Sequence, residues 1–142
     1  MATAIPTTPA WLDRAGWPYG PRSVDTGDGG QHYVDEGTGP AVLLVHGTPT
    51  WSYEWRHVIA ALQPRHRVIA VDHLGFGLSE RPSGAGYRPD DHARRFRHFV
   101  DAVCPSGPLT LVVHDFGGPI ALDWALDHPD RLAHLVVTNT WM

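Results

Sequence analysis

Four short apolar runs, at residues 41–45, 67–71, 109–113 and 135–137, recur along the chain with helix-period segments between them. Ala41-Val42-Leu43-Leu44-Val45 has no polar alternation at all, so such a strand has to be covered on both faces. Strands of this kind belong to parallel sheets, whose crossovers are long enough to carry the covering helices. The intervening segments supply those helices. Trp51, Trp55, Val58, Ile59 and Leu62 fall at helical spacing, with Thr50 or Ser52 as the N-cap. Phe96, Val100 and Val103, with Phe99 beside them, form the stripe of a second helix capped by Asp90 or Asp91. Ile120, Ala121, Trp124 and Ala125 mark a third, closed by His128-Pro129. Ahead of this alternation, residues 22–26 and 31–36 flank Gly27-Asp28-Gly29-Gly30, the composition of a hairpin turn. Residues 1–20 read as an N-terminal arm, because Pro6, Pro9 and Pro18 break any helix while Trp11, Leu12, Trp17 and Tyr19 offer apolar anchors for docking on the domain surface. Residues 21–142 then form one α/β domain with a mostly parallel, doubly wound sheet.

Composition narrows the partners. With 11 basic against 15 acidic residues, a net charge of −4 leaves no cationic surplus for a phosphate backbone, which argues against nucleic acid. Cys104 stands alone, so neither an internal disulfide nor a cysteine zinc site is available. The ten histidines include no helical His-Glu-x-x-His pair, and no metal is expected. His32, His57, His66, His92, His98, His128 and His134 read as surface or helix-end residues, and Arg94, Arg95, Arg97 and His98 as the solvated side of the second helix. Gly75-Phe76-Gly77 lacks the third glycine of a dinucleotide fingerprint, and no cofactor is expected. The longest apolar run is far too short for a bilayer, and the N-terminus lacks the basic flank and apolar stretch of a secretion signal. No membrane association and a cytoplasmic location are therefore expected.

In open α/β sheets the chemistry sits at the carboxyl ends of the strands. After the third apolar run comes His114-Asp115-Phe116-Gly117-Gly118-Pro119, a strand that turns into a helix through one polar residue with small neighbours behind it. That layout is a nucleophile elbow with Asp115 in the place usually held by Ser. A carboxylate is already ionised at neutral pH and attacks an alkyl carbon without a base, giving an ester to the enzyme. The alternative is that Asp115 merely caps the helix that follows. After the first run, His46-Gly47-Thr48-Pro49-Thr50-Trp51 has the form of a loop that aims a backbone N–H at the same point, or of an ordinary strand-to-helix turn. His46, His73 and His114 lie near this point and shape its hydrogen bonding.

Four segments in order, Tyr33-Val34-Asp35-Glu36-Gly37, His46-Gly47-Thr48-Pro49-Thr50-Trp51-Ser52-Tyr53-Glu54-Trp55-Arg56, Asp72-His73-Leu74-Gly75-Phe76-Gly77-Leu78-Ser79 and Val113-His114-Asp115-Phe116-Gly117-Gly118, resemble the α/β-hydrolase superfamily. Within it they are most similar to the haloalkane dehalogenases and their epoxide hydrolase relatives, over the chain from about Pro18 onward. The resemblance implies Asp115 as nucleophile and the backbone N–H groups of Thr48 and Phe116 as the oxyanion hole. Trp51 is a candidate for the substrate pocket, with core packing, as for most of the six tryptophans, the alternative. The resemblance also implies a small apolar substrate and water as partners. Many dehalogenases hold the departing halide with an Asn where Thr48 stands and a Trp ring where Phe116 stands; Thr48 offers a hydroxyl instead, and Phe116 has no ring donor. The family's water-activating His and its orienting acid are expected beyond residue 142, after a helical cap. The chain thus reads as the N-terminal part of the α/β-hydrolase fold, without cap or C-terminal strands, and as an inactive half of a dehalogenase-type hydrolase. Epoxide hydrolysis, another hydrolase activity, or a non-catalytic piece that binds another chain are the alternatives. The apolar last strand would leave an exposed sheet edge prone to self-association.

Overall fold

A computed structural model describes residues 7–142; Pro6 of the predicted arm lies outside them. The predicted hairpin forms first, from β1 (Arg22–Asp25) and β2 (Gly30–Glu36). Then come β3 (Ala41–Val45), α1 (Arg56–Leu62), β4 (Arg67–Val71), α2 (Pro89–Val103), β5 (Leu109–Asp115), α3 (Gly117–Asp127) and β6 (Leu132–Thr140). The six strands make one sheet in the order β1-β2-β4-β3-β5-β6. The β1–β2 and β2–β4 pairs are antiparallel, and β4–β3, β3–β5 and β5–β6 are parallel.

Period-2 geometry sorts the apolar runs into two cores. Leu43, Val45, Ile69, Val71, Leu111 and Val113 face α2 and α3, where Phe96, Phe99, Val100 and Trp124 close over them. Val42, Leu44, Val68 and Ala70 face the other way, onto Ile59 of α1 and onto Leu12, Trp17 and Tyr19. The arm is thus a working part of the second core, with Trp17 and Tyr19 buried edge to face.

Several helix starts differ from expectation. The segment after Trp51 opens as a single 3-10 turn, Ser52–Trp55, before α1; the Thr50 hydroxyl donates back to the Gly47 carbonyl and caps nothing, and Ser52 is buried. α2 begins with Arg88 at its cap and Pro89 at its first position, where the missing N–H costs nothing. Asp91 sits in the first turn and accepts the Arg88 N–H. Arg95, expected in solvent, is fully buried; it reaches Asp28 of the β1–β2 turn at 2.8 Å and also donates to the Gly86 carbonyl.

Candidate active site

Because β3 lies between β4 and β5, the carboxyl ends of these three strands meet side by side, and the loops that follow them share one place. Asp115, the last residue of β5, has φ +48°, a left-handed conformation that an aspartate adopts only at some cost. The cap position of α3 belongs to Phe116, with no side-chain bond, so Asp115 is not the helix N-cap. Its Oδ2 accepts the backbone N–H of Thr48 at 2.9 Å. The N–H groups of Thr48 and Phe116 together hold the carboxyl below the usual carboxylate range. Gly47 makes this approach possible: a side chain there would collide with the Asp115 carboxylate. Gly117 is required in the same way, since a β-carbon would strike the carbonyls of Val45 and His46.

Behind the Thr48 loop stands a buried histidine pair. The His73 N–H donates to His46 Nε2 at 3.0 Å, so the His46 proton must lie on Nδ1, which reaches the Gly47 carbonyl at 2.8 Å. His73 Nε2 in turn donates to the His46 carbonyl. Burial lowers the pKa of both rings and keeps them neutral. Asp72, at the end of β4, ties the neighbouring loops together by accepting the Ser52 N–H, the Leu78 N–H and His32 Nδ1. His32, expected at the surface, is therefore buried as the partner of Asp72. His114 faces the α1 side, with Nδ1 3.4 Å from Glu54.

A cleft of about 610 Å³ opens against Thr48 and Phe116, the two residues whose N–H groups hold the Asp115 carboxylate, and is walled by Phe76, Arg81, Tyr87 and His92. Trp51 does not line this cleft. It packs in the second core against Trp17 and stacks on Tyr53, with centroids 5.3 Å apart in both cases. The structure thus brings Asp115, Thr48 and Phe116 together and leaves Trp51 apart. His92 is the residue that sequence reasoning placed elsewhere: it is only 2% exposed and meets Phe116 edge to face. The signal was present, since His92 lies four residues before Phe96 and extends the apolar stripe of α2 by one turn. Among the described residues there is no cluster suited to a metal ion, and no helix is long and apolar enough to cross a membrane.

Residues 40–142 match the family model of the alpha/beta hydrolase fold. The chain is 50% identical over 125 residues to haloalkane dehalogenase 2 of Mycobacterium tuberculosis, covering 88% of this chain and 43% of that protein. It is 39% identical over 139 residues to a cis-3-alkyl-4-alkyloxetan-2-one decarboxylase of Xanthomonas campestris, covering 88% of this chain and 45% of the relative. The crystal structure of a haloalkane dehalogenase from Agrobacterium tumefaciens superimposes with a TM-score of 0.81 at 30% identity, over 91% of this chain and 44% of that one. The chain therefore spans less than half the length of these relatives.

Proposed function

This chain belongs to the alpha/beta hydrolase fold family, and we propose that Asp115 is the nucleophile of a dehalogenase-type displacement on a small apolar haloalkane. The observation that carries this reading is the Asp115 carboxylate itself, presented at φ +48° on the end of β5 with Oδ2 on the Thr48 N–H. A carboxylate held ionised attacks an sp³ carbon in line, and its free electron pair forms the ester bond as the halide leaves with the pair of the broken bond. The bound oxygen then becomes the ester carbonyl. When water attacks that ester, negative charge develops on the same oxygen, already facing the N–H groups of Thr48 and Phe116. The oxyanion donors are thus in place before the ester exists. A hydroxyl nucleophile would need a base to lose its proton, and Asp115 needs none.

The test is direct. On incubation with a reactive primary bromoalkane, intact-mass and peptide analysis should show one alkyl group on Asp115. Asp115→Ala should lose that adduct while keeping the near-ultraviolet circular dichroism of the fold. An adduct spread over surface carboxylates, or undiminished in the variant, overturns the assignment. Opening of epoxides with no halide released from any haloalkane would establish the epoxide reading instead.

A further inference from the structure

Among the described residues, Arg81 carries the one full charge in the wall of the cleft. The rest of the lining is neutral, His92 included, since burial lowers its pKa to about 4. The loop that bears Arg81 also holds its guanidinium in place, with Nη1 on the Ser79 carbonyl at 3.1 Å and Nη2 on the Gly77 carbonyl at 2.8 Å. A guanidinium has five N–H groups, so three remain after those two bonds. None of the described carboxylates pairs with it, although Arg67, Arg94, Arg95 and Arg97 each hold one. Ser83, two residues on, is exposed in the same lining and adds a hydroxyl donor. A planar fork with open N–H groups suits a carboxylate, and fixing it beforehand spares the entropy of ordering a long side chain on binding. In a chain of net charge −4, beside a nucleophile that is itself an anion, a negatively charged substrate is repelled unless a cation faces it.

We propose that Arg81 selects haloalkanes whose far end carries a carboxylate, with that carboxylate on the guanidinium and the alkyl chain against the rings of Phe76 and Phe116. The inference rests on Asp115 being the nucleophile, and it narrows the substrate from a haloalkane to a halocarboxylate. The two ends of such a molecule suit the two kinds of wall: apolar rings for the methylene chain, and one cation with a neighbouring hydroxyl for the anion. The carboxylate end takes no part in the bond changes. The Asp115 oxygen–carbon bond forms, the carbon–halogen bond breaks, the halide keeps the electron pair, and Arg81 keeps all its protons. Arg81 is exposed, so water screens the pair and the preference it sets is about fivefold. Its two carbonyl bonds brace the loop of Gly77 and Ser79 as well, and that bracing serves every substrate alike, whereas the charge acts only on a charged one.

The experiment follows adduct formation on Asp115 with three primary bromoalkanes of equal chain length, ended by a carboxylate, a methyl group or a trimethylammonium group. Each rate is divided by that reagent's rate with free acetate. Arg81→Gln should slow the carboxylate-ended reagent about fivefold, change the methyl-ended one less than about twofold, and speed the trimethylammonium-ended one. Arg81→Lys, which keeps the charge, should retain most of the carboxylate-ended rate. Equal slowing of all three reagents would mean that Arg81 only braces its loop, and it overturns the proposal, as does no change in any of them. In the unsubstituted chain, sodium hexanoate should shift the Arg81 Nε–H resonance in NMR and hexanol should not. A resonance that hexanoate leaves in place also overturns the proposal, whether or not the variants fold. If hexanoate moves Arg81 while no reagent alkylates Asp115, the nucleophile reading has failed and the carboxylate site has not.

Discussion

His46, His73 and His92 stand ring to ring behind the cleft, with centroids 4.2 Å apart for the first pair and 5.7 Å for the second. All three pKa values lie below the ordinary histidine value, with burial as the largest cause. The unfolded chain binds a proton at each near pH 6.5, whereas the folded chain refuses it until the pH is lower, about 4 for His92. Across that interval the unfolded state carries more protons, so stability is fully present above about pH 6.5 and falls as the pH drops toward 4. Asp72 acts below that interval: burial alone would raise its pKa, but the hydrogen bond from His32 and the Leu78 N–H bring it below the usual 3.8, so its contribution is lost only as the pH falls below that value. Asp91 and Arg95 are the charged groups of α2 acting on His92, the first favouring its protonation and the second opposing it. Urea unfolding at constant ionic strength should show the midpoint dropping steadily between pH 7 and pH 5, with a shallower drop in His92→Phe. A midpoint flat across that interval would mean that these rings are not held neutral.

The elements were legible where burial alone decides them. Residues 41–45 and 67–71 are strands with the boundaries that the apolar runs predict, because both faces are covered and the one polar residue, Arg67, stands at the start of its strand. Asp115 with Thr48 and Phe116 was legible as well, through the small residues that the turn and the close backbone approach require. What the sequence hid was set by tertiary context. β6 runs from Leu132 to Thr140 although only residues 135–137 are continuously apolar, since pairing with β5 fixes its length through His134, Thr138 and Thr140. His92 and Arg95 carry polar side chains on a buried face, and only their partners explain them. Among the described residues the strand β6 pairs on one side alone, and Leu135, Val136 and Val137 are 44%, 43% and 52% exposed. An apolar groove of about 520 Å³ runs along it between Leu126, Leu135, Val137 and Trp141. An open edge with apolar side chains is a template for pairing. Light scattering after gel filtration should therefore show this chain associating as its concentration rises, and Val136→Lys should shift it toward monomer. A monodisperse monomer at all concentrations would remove the edge as an association surface.

At the scale of the whole molecule, the sheet gathers the loops after β3, β4 and β5 into one site, and the histidines around it are poorly placed to act as a base. His46 and His73 have their protons fixed by mutual hydrogen bonds, His114 turns toward Glu54 on the α1 side, and His92, with a pKa lowered to about 4, is a weak proton acceptor. Among the described residues none of these rings stands free beside Asp115 to take a proton from water. Ester formation on Asp115 needs no general base, because the carboxylate is ionised, whereas attack of water on the ester does. If Asp115 is the nucleophile as proposed, the two half-reactions should separate in a polypeptide of these 142 residues. Mixed with excess bromoalkane, it should release bromide in a single phase that ends near one equivalent per folded chain. The alkyl group should remain on Asp115, with its loss measured in hours rather than seconds. The amplitude, titrated against the folded fraction, checks the prediction independently of the rate. Continuous bromide release well beyond one equivalent would show that a base within these residues reaches water after all, and His92 would then be the first ring to replace.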